Sequence, residues 1–283
     1  MFSGVETVRL DKSNSARIVG VRSKEGETLA LAKAVVAKGK MEEWMMNLLS
    51  AMRATVRRLA ASVGTLVVRG GVDTAGLAAR FPAQIALLGL QIQWTSAMEG
   101  AILAAEESGD RGAMAEAGTV ISGALDALRT LAGGHLSTVD RAKVEGLITV
   151  QVYQRDAYGE VARSHVSSVR AFEWVKRMRF YADTGDGLEI CVGSVPFVYN
   201  NEFLGARPRL VMTPLTDRCY STLAYAHTMH LGGAPFGPAG TGKTETVKDM
   251  GATLGNLVVV FNCSDEFDTS DMGRIFKGMA QVG

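Results

Sequence analysis

A glycine-rich loop followed by lysine and threonine is the feature that most constrains how this chain folds. Residues 237–244 read Gly-Pro-Ala-Gly-Thr-Gly-Lys-Thr and match the pattern GxxxxGK[ST] without a mismatch. Glycines in such a loop permit positive φ angles, so the backbone N–H groups can point inward around an anion. An amphipathic stretch over 247–254 follows, and then an apolar run at 257–261. This order predicts an α/β phosphate-binding unit, with a helix that begins at Lys243 and a strand after it.

The loop and the first turn of that helix hold the candidate binding residues. Lys243 is predicted to reach the β- and γ-phosphates of a nucleotide, and Thr244 to supply a hydroxyl ligand to Mg²⁺. The predicted binding residues are Gly237, Pro238, Ala239, Gly240, Thr241, Gly242, Lys243, Thr244 and Glu245.

Hydrolysis of the nucleotide needs, in addition, an acidic residue on a second strand. Asp265 and Glu266 follow the apolar run, but several residues separate them from its end. A metal-binding acid of this class directly follows its strand. We therefore interpret 264–268 as a loop at the end of the strand, where α/β ligands gather.

The sequence before the loop is mainly helical, with apolar periodicity from about residue 27 to 180. The clearest segment is 41–63, and another helix is predicted after Pro82. The remaining helices are predicted at about 114–131, 139–153 and 161–180.

Shorter elements follow the helical region. Residues 188–192 and 196–199 are predicted to form a small β-hairpin. Thr216 or Asp217 is predicted to cap a helix that runs to about Leu231. His227 and His230 share one face of that helix, but a metal site would need further ligands, which the sequence does not provide at the usual spacing.

The composition excludes several classes of protein. Thirty Lys and Arg residues against twenty-nine Asp and Glu give a net charge of +1, which does not suggest a general nucleic-acid binder. No apolar stretch reaches the roughly 18–20 residues that span a bilayer. Three cysteines without a CxxC pair indicate reduced thiols. We expect a soluble intracellular protein with no nucleic-acid or membrane partner.

Several motifs resemble the dynein heavy chain family. Residues 213–220, 237–246 and 260–265 resemble the start of its first AAA+ module. Other segments resemble the C-terminal part of its linker; they are 81–85, 93–95, 147–149, 154–156, 172–174 and 179–181. The resemblance covers nearly the whole chain. Residues 201–205, 246–251 and 273–278 look more like axonemal outer-arm chains than cytoplasmic ones.

The resemblance implies a fold class and a function. Residues 1–200 would be the C-terminal part of a mainly α-helical linker bundle, and 207–283 an incomplete α/β P-loop (AAA+) module. The family is an ATP-driven microtubule motor that uses ATP and Mg²⁺. Pro214, Leu215 and Thr216 would form part of the adenine pocket. Microtubules and other dynein subunits would be partners of the parent protein, in the cytoplasm, the cytoskeleton and the axoneme of a cilium or flagellum.

The same resemblance limits the activity expected of these residues alone. In the family, the strand that carries the catalytic Asp-Glu pair would begin just after Gly283. We therefore expect no appreciable ATP turnover by the isolated chain. The alternative interpretation is a truncated, non-catalytic nucleotide-binding or interaction protein without motor activity.

Overall fold

Four long helices and two small antiparallel sheets form the larger, N-terminal part of the structure. The computed structural model describes residues 4–109, 112–184, 187–264 and 267–282. Its elements are β1 (Thr7–Leu10), β2 (Arg17–Arg22), β3 (Thr28–Val36), α1 (Met41–Val68), α2 (Thr74–Arg80), α3 (Ala83–Ser108), α4 (Gly112–Ala132), α5 (Thr138–Arg163), α6 (Phe172–Val175), β4 (Met178–Thr184), β5 (Gly187–Val192), β6 (Val195–Val198), α7 (Pro214–Thr228), α8 (Lys243–Thr253) and α9 (Thr269–Val282). We call α1 to β6 the helical part and α7 to α9 the P-loop part.

Four of the predicted helices in the helical part are confirmed as α1, α3, α4 and α5. Helix α1 buries Leu48, Met52, Val56 and Val63, which recur at the helical spacing seen in the sequence. Pro82 stands at the N-cap of α3, as its fixed φ angle allows. Among the described helices, none combines the length and apolar character needed to cross a membrane.

The helical prediction is wrong at its N-terminal edge. Residues 28–36 form β3, the third strand of the antiparallel sheet β1-β2-β3. Leu29 and Val35 are buried on this strand, and the N–H of Ala32 donates to Thr55 Oγ1 of α1 at 3.0 Å. The pairing of β2 with β3 shifts register between Ile18 and Gly20. Such a shift interrupts the two-residue alternation by which a strand is identified in a sequence.

The helix predicted over 161–180 is also wrong. Helix α5 continues from the preceding segment and ends at Arg163, where His165 takes a positive φ of 52°. Only the single turn α6 follows, before β4 begins at Met178. Trp174 of that turn is fully buried against Trp94 of α3, with ring centroids 5.1 Å apart. The packing of this ring fixes the single turn to α3.

The predicted hairpin is confirmed as β5 and β6, which pair in antiparallel register. The sequence did not predict β4, which pairs with the other edge of β5. The N–H of Phe180 in β4 donates to Thr95 Oγ1 of α3 at 3.0 Å, so this second sheet is fixed to the helices.

Two predictions in the P-loop part are corrected. Helix α7 is capped by Thr213, not by Thr216 or Asp217, and it ends at Thr228. Residues 257–261, predicted as a strand, lie in no helix or strand, and their last three side chains are 43–52 % exposed. A strand requires a hydrogen-bonded neighbour, and no strand among the described residues pairs with this run.

The P-loop part shares its core with the helical part. Tyr220 and Ala224 of α7 and Met250 and Leu254 around α8 belong to the same buried cluster as residues of α1, α3 and α5. A buried ion pair also joins Arg209, in the segment before α7, to Asp249 of α8. Their side chains are 8 % and 6 % exposed.

Asp249 is the centre of this contact. Arg209 donates to its two carboxylate oxygens at 2.8 and 3.0 Å, the fork-to-fork geometry that arginine favours. The Tyr220 hydroxyl adds a hydrogen bond at 2.6 Å and the N–H of Leu210 another at 3.1 Å. One carboxylate therefore holds α7, α8 and the segment before α7 together.

Glu202 makes a second junction between the two parts. One of its carboxylate oxygens accepts from Arg53 of α1 at 2.5 Å, and the other from the N–H of Leu257 at 2.6 Å. The backbone of Glu202 is bonded as well, with its N–H donating to the carbonyl of Gly255 at 3.0 Å. The chain just beyond α8 is thus fixed to the helical part.

We predict that removing one partner of the Arg209–Asp249 pair destabilises the fold strongly. Arg209→Met leaves a buried, uncompensated carboxylate and should lower the free energy of unfolding by about 3–5 kcal/mol. Urea denaturation followed by circular dichroism measures this. Arg129→Met, which breaks an exposed pair with Asp126, is the control and should cost less than about 1 kcal/mol. Equal losses in the two variants would contradict the prediction.

The pH dependence of the same pair gives a second prediction. Burial acts to raise the pKa of Asp249, but the charge of Arg209 and the hydrogen bonds outweigh it, so the pKa lies below its ordinary value. A lowered pKa stabilises the fold above the unfolded-state value of about 3.9, and this contribution is lost as the pH falls through the folded-state pKa. The advantage in unfolding free energy of the unsubstituted chain over Asp249→Asn should therefore shrink between about pH 5 and pH 3.

The pKa of Glu27 is shifted in the direction opposite to that of Asp249, so Glu27 serves as a comparison. Burial raises the pKa of this carboxyl group despite a hydrogen bond from the N–H of Ala83 and the charge of Lys143. The contribution of Glu27 to the free energy of unfolding is present below the unfolded-state pKa and is lost as the pH rises through the folded-state pKa. The unfolding free energy of the unsubstituted chain relative to Glu27→Gln should therefore increase on acidification. Parallel trends for the two variants would refute this assignment.

Candidate functional site

The phosphate-loop motif forms an exposed loop that leads directly into α8. Gly237, Gly240 and Gly242 have positive φ angles of 155°, 76° and 80°. A Cβ atom at Gly240 or Gly242 would meet nothing within 4 Å, so these positions favour glycine for its backbone freedom and not for space. Helix α8 begins at Lys243, as the sequence predicted. The loop therefore lies at the positive end of a helix dipole, where anions bind.

Lys243 folds back over the loop that precedes it. Its ammonium group donates to the carbonyl of Gly237 at 3.0 Å, to the carbonyl of Pro238, and to Thr241 Oγ1 at 3.3 Å. Three acceptors of the loop thus surround one positive charge. A phosphate group that enters the loop would compete with these neutral acceptors for the ammonium group, and its negative charge gives it the stronger bond.

The first turn of α8 places the other predicted residues of the motif. Thr244 is exposed, so its hydroxyl is accessible to a ligand such as Mg²⁺, which prefers oxygen. Glu245 is also exposed and pairs with Lys248 at 2.7 Å. Thr246 donates its hydroxyl to the carbonyl of Gly242 at 2.9 Å, which closes the junction of loop and helix.

The other predicted site residues, Pro214, Leu215 and Thr216, form the first turn of α7. Pro214 occupies the first helical position, and Leu215 is 71 % exposed. Thr216 is buried, and its hydroxyl lies 3.1 Å from that of Thr213 in a capping box. Pro214 and Leu215 are therefore the exposed apolar residues of this turn that a ligand could contact, while Thr216 fixes the conformation of the turn.

Helices α7 and α8 are joined in their second turns. Tyr220 of α7 donates its hydroxyl to Asp249 of α8 at 2.6 Å. Each residue lies about 9 Å of helix rise from the start of its helix. The contact fixes the two helices to each other, so the first turns that carry the predicted site residues are held by one junction.

A second polar cluster holds the first part of α7 against the helical part. Asp217 accepts from the Tyr153 hydroxyl of α5 at 2.9 Å and from Arg177 at 2.6 Å. Arg177 also pairs with Glu160 and is only 3 % exposed. Burial raises the pKa of Asp217, and Glu160 adds to this effect against the charge of Arg177.

The residues of these two clusters were not identified as site residues from the sequence. Arg209 and Asp249 are forty positions apart, and so are Arg177 and Asp217, so no local spacing links them. The sequence offers one signal for these clusters. Asp249 directly precedes Met250 on the apolar side of α8, and a buried charge needs a partner. It does not identify that partner.

Asp265 and Glu266, which we interpret as part of a loop, lie outside the described residues. A cavity of about 220 Å³ is lined by Trp94, Ile121 and Gln151, among others, and so lies within the helical part and not at the phosphate loop.

Comparison with known proteins matches both ends of the chain to one family. Residues 1–63 match the model described as "Dynein heavy chain, N-terminal region 2". Residues 199–283 match the model described as "Hydrolytic ATP binding site of dynein motor region". The second match contains the phosphate loop, α7 and α8.

Full-length similarity to individual proteins agrees with these matches. The chain is 43 % identical over 284 residues to dynein axonemal heavy chain 5 of Mus musculus, covering 100 % of this chain and 6 % of that protein. It is 45 % identical over 268 residues to dynein axonemal heavy chain 8 of Homo sapiens, covering 94 % and 6 %. It is 38 % identical over 285 residues to the dynein gamma chain, flagellar outer arm, of Chlamydomonas reinhardtii, covering 100 % and 6 %. The chain thus spans about 6 % of the length of these relatives. On these matches the chain belongs to the dynein heavy chain family and is most like its axonemal members.

Proposed function

We propose that this chain supplies the ATP-binding loop and part of the force-transmitting linker of an ATP-driven, microtubule-based motor. The observation that carries the proposal is the loop at 237–242 with Lys243 folded over it at the start of α8. This loop lies within residues 199–283, which match the model of a hydrolytic ATP-binding site.

The residues of the site have separate roles in this proposal. The loop N–H groups and Lys243 bind the phosphates, and the Thr244 hydroxyl binds Mg²⁺. Leu215 and Pro214 contact the adenine ring, and Thr216 fixes their turn. These residues bind and orient the nucleotide, while the bound metal ion would offset negative charge on the phosphates.

The division into two units supports a mechanical role. In the proposal, residues 1–200 belong to the linker and 207–283 to the first AAA+ module. The buried pair of Arg177 with Asp217 and the junction at Glu202 are direct contacts through which force could pass between the two units.

The relatives favour a location as well. Those named above are axonemal or flagellar outer-arm dyneins. We propose that the parent protein of this chain works on microtubules in the axoneme of a cilium or flagellum, together with other dynein subunits.

Nucleotide binding by the chain tests the proposal. Lys243→Ala should weaken binding of a fluorescent ATP analogue with Mg²⁺ by about tenfold or more, because a charge-assisted hydrogen bond to phosphate is lost. To the described residues, Lys243 makes hydrogen bonds within its own loop, so the fold should persist in the variant, which circular dichroism can check. Thr244→Ala should reduce the gain in affinity that Mg²⁺ gives.

Lys248→Ala is the matched control. Lys248 lies on the same helix and carries the same charge, but it pairs with Glu245 and not with the loop. Its removal should change the affinity by less than about threefold. No saturable binding by the unsubstituted chain, or equal losses in the two lysine variants, would overturn the proposed role of the loop.

A further inference from the structure

The start of α7 is held by side chains of the helical part. Asp217 directly follows Thr216, and each of its two carboxylate oxygens accepts a hydrogen bond. Oδ1 accepts from the Tyr153 hydroxyl at 2.9 Å, and Oδ2 accepts from Arg177 at 2.6 Å. Both donors belong to the helical part, and neither belongs to α8 or to the phosphate loop.

The donors are themselves fixed. Arg177 is 3 % exposed, and a second nitrogen of its guanidinium group pairs with Glu160 of α5. Tyr153 and Glu160 lie two turns apart on α5, so α5 contacts the cluster at two points. Asp217 itself is 13 % exposed at its side chain. Because these groups are largely withdrawn from water, their geometry is more sharply defined than that of a surface ion pair.

The phosphate loop is fixed by different contacts. It leads into α8, which Asp249 fixes through Arg209 and Tyr220. Within the part of the chain that the structure describes, the Asp217 cluster makes no hydrogen bond with that loop, and the bonds of Lys243 stay within the loop. Asp217 thus acts on the first turn of α7, whereas Asp249 acts on α8 and also, through Tyr220, on the second turn of α7.

We infer that Asp217 is a positioning residue for the nucleoside end of the nucleotide, and that Tyr153 and Arg177 of the helical part set the affinity for adenosine through it. This inference rests on the proposed function, in which the turn of Pro214 and Leu215 contacts adenine. The helical part then contributes to nucleotide recognition without touching the nucleotide. Loosening the cluster shifts the turn at Leu215 and leaves the phosphate loop unchanged.

Comparison of two ligands of the full chain tests the inference. ATP reports on both ends of the site, and inorganic tripolyphosphate reports only on the phosphate loop. Tyr153→Phe removes one hydroxyl and keeps the ring. It should raise the Kd for ATP with Mg²⁺ about fivefold and change the Kd for tripolyphosphate with Mg²⁺ by less than about twofold. Isothermal titration calorimetry measures both constants.

Tyr158→Phe is the matched control, because Tyr158 lies on the same helix α5 but contacts Gly118 of α4 and not α7. It should change neither constant. Asp217→Asn keeps the shape of the side chain and removes its charge, and it should reproduce the selective loss of ATP affinity. Arg177→Lys should restore part of the affinity lost in Arg177→Met, because it retains the charge.

The possible outcomes separate the inference from the proposed function. If the unsubstituted chain binds ATP and Tyr153→Phe binds it equally well, the inference is wrong and the proposed function stands. If ATP and tripolyphosphate affinities fall together, the cluster has only a structural role, and the inference is again wrong. If the unsubstituted chain binds neither ligand, the proposed function fails, and the inference fails with it.

Discussion

The structure of the P-loop part depends on one buried ion pair, that of Arg209 with Asp249. Helix α8 begins at the phosphate loop, so whatever fixes α8 also fixes the loop. Asp249 accepts hydrogen bonds from Arg209, from Tyr220 of α7 and from the N–H of Leu210. Taking such charges out of water is costly, and the cost is offset only when the remaining hydrogen-bonding positions are also filled. Here they are filled by α7 and by the segment before it, so the positions of α8, α7 and that segment depend on one another.

The same set of side chains occurs a second time at α7. Tyr153, Asp217 and Arg177 repeat the arrangement of Tyr220, Asp249 and Arg209: a carboxylate between a phenol and a guanidinium group. The electrostatics differ, however. Among the described residues, Arg209 pairs with no carboxylate other than Asp249, and the pKa of Asp249 is lowered overall despite burial. Asp217 is subject to burial and to the nearby charge of Glu160, which shares Arg177, and its pKa is raised.

The sequence predicted those features that depend on local pattern. The phosphate loop, the start of α8 at Lys243 and the helices α1, α3, α4 and α5 all follow from motif or periodicity within one stretch of chain. The hairpin of β5 and β6 follows from the turn at Gly193 for the same reason.

Features that depend on distant partners were missed or misassigned. A long helix was predicted over 161–180, but this stretch contains only the single turn α6, whose Trp174 packs on Trp94, eighty residues earlier. The run at 257–261 has the composition of a strand, but a strand forms only where another strand lies beside it. The ion pair at Asp249 joins residues forty positions apart, and the sequence shows the two charges without showing that they meet.

The close approach of Gly255 to Tyr199 restricts how this region can vary in evolution. Gly255 has a φ of 73°, and a Cβ atom there would lie 2.7 Å from the tyrosine ring. The hydroxyl of that ring accepts a hydrogen bond at 2.6 Å from Gln84 of α3, whose own carbonyl accepts from the N–H of Leu204. A side chain at position 255 would therefore displace a ring that is bonded to α3. A smaller residue at 199 would remove the clash with the ring but not the strain of a side chain at a φ of 73°, so both the ring and the backbone favour glycine at 255.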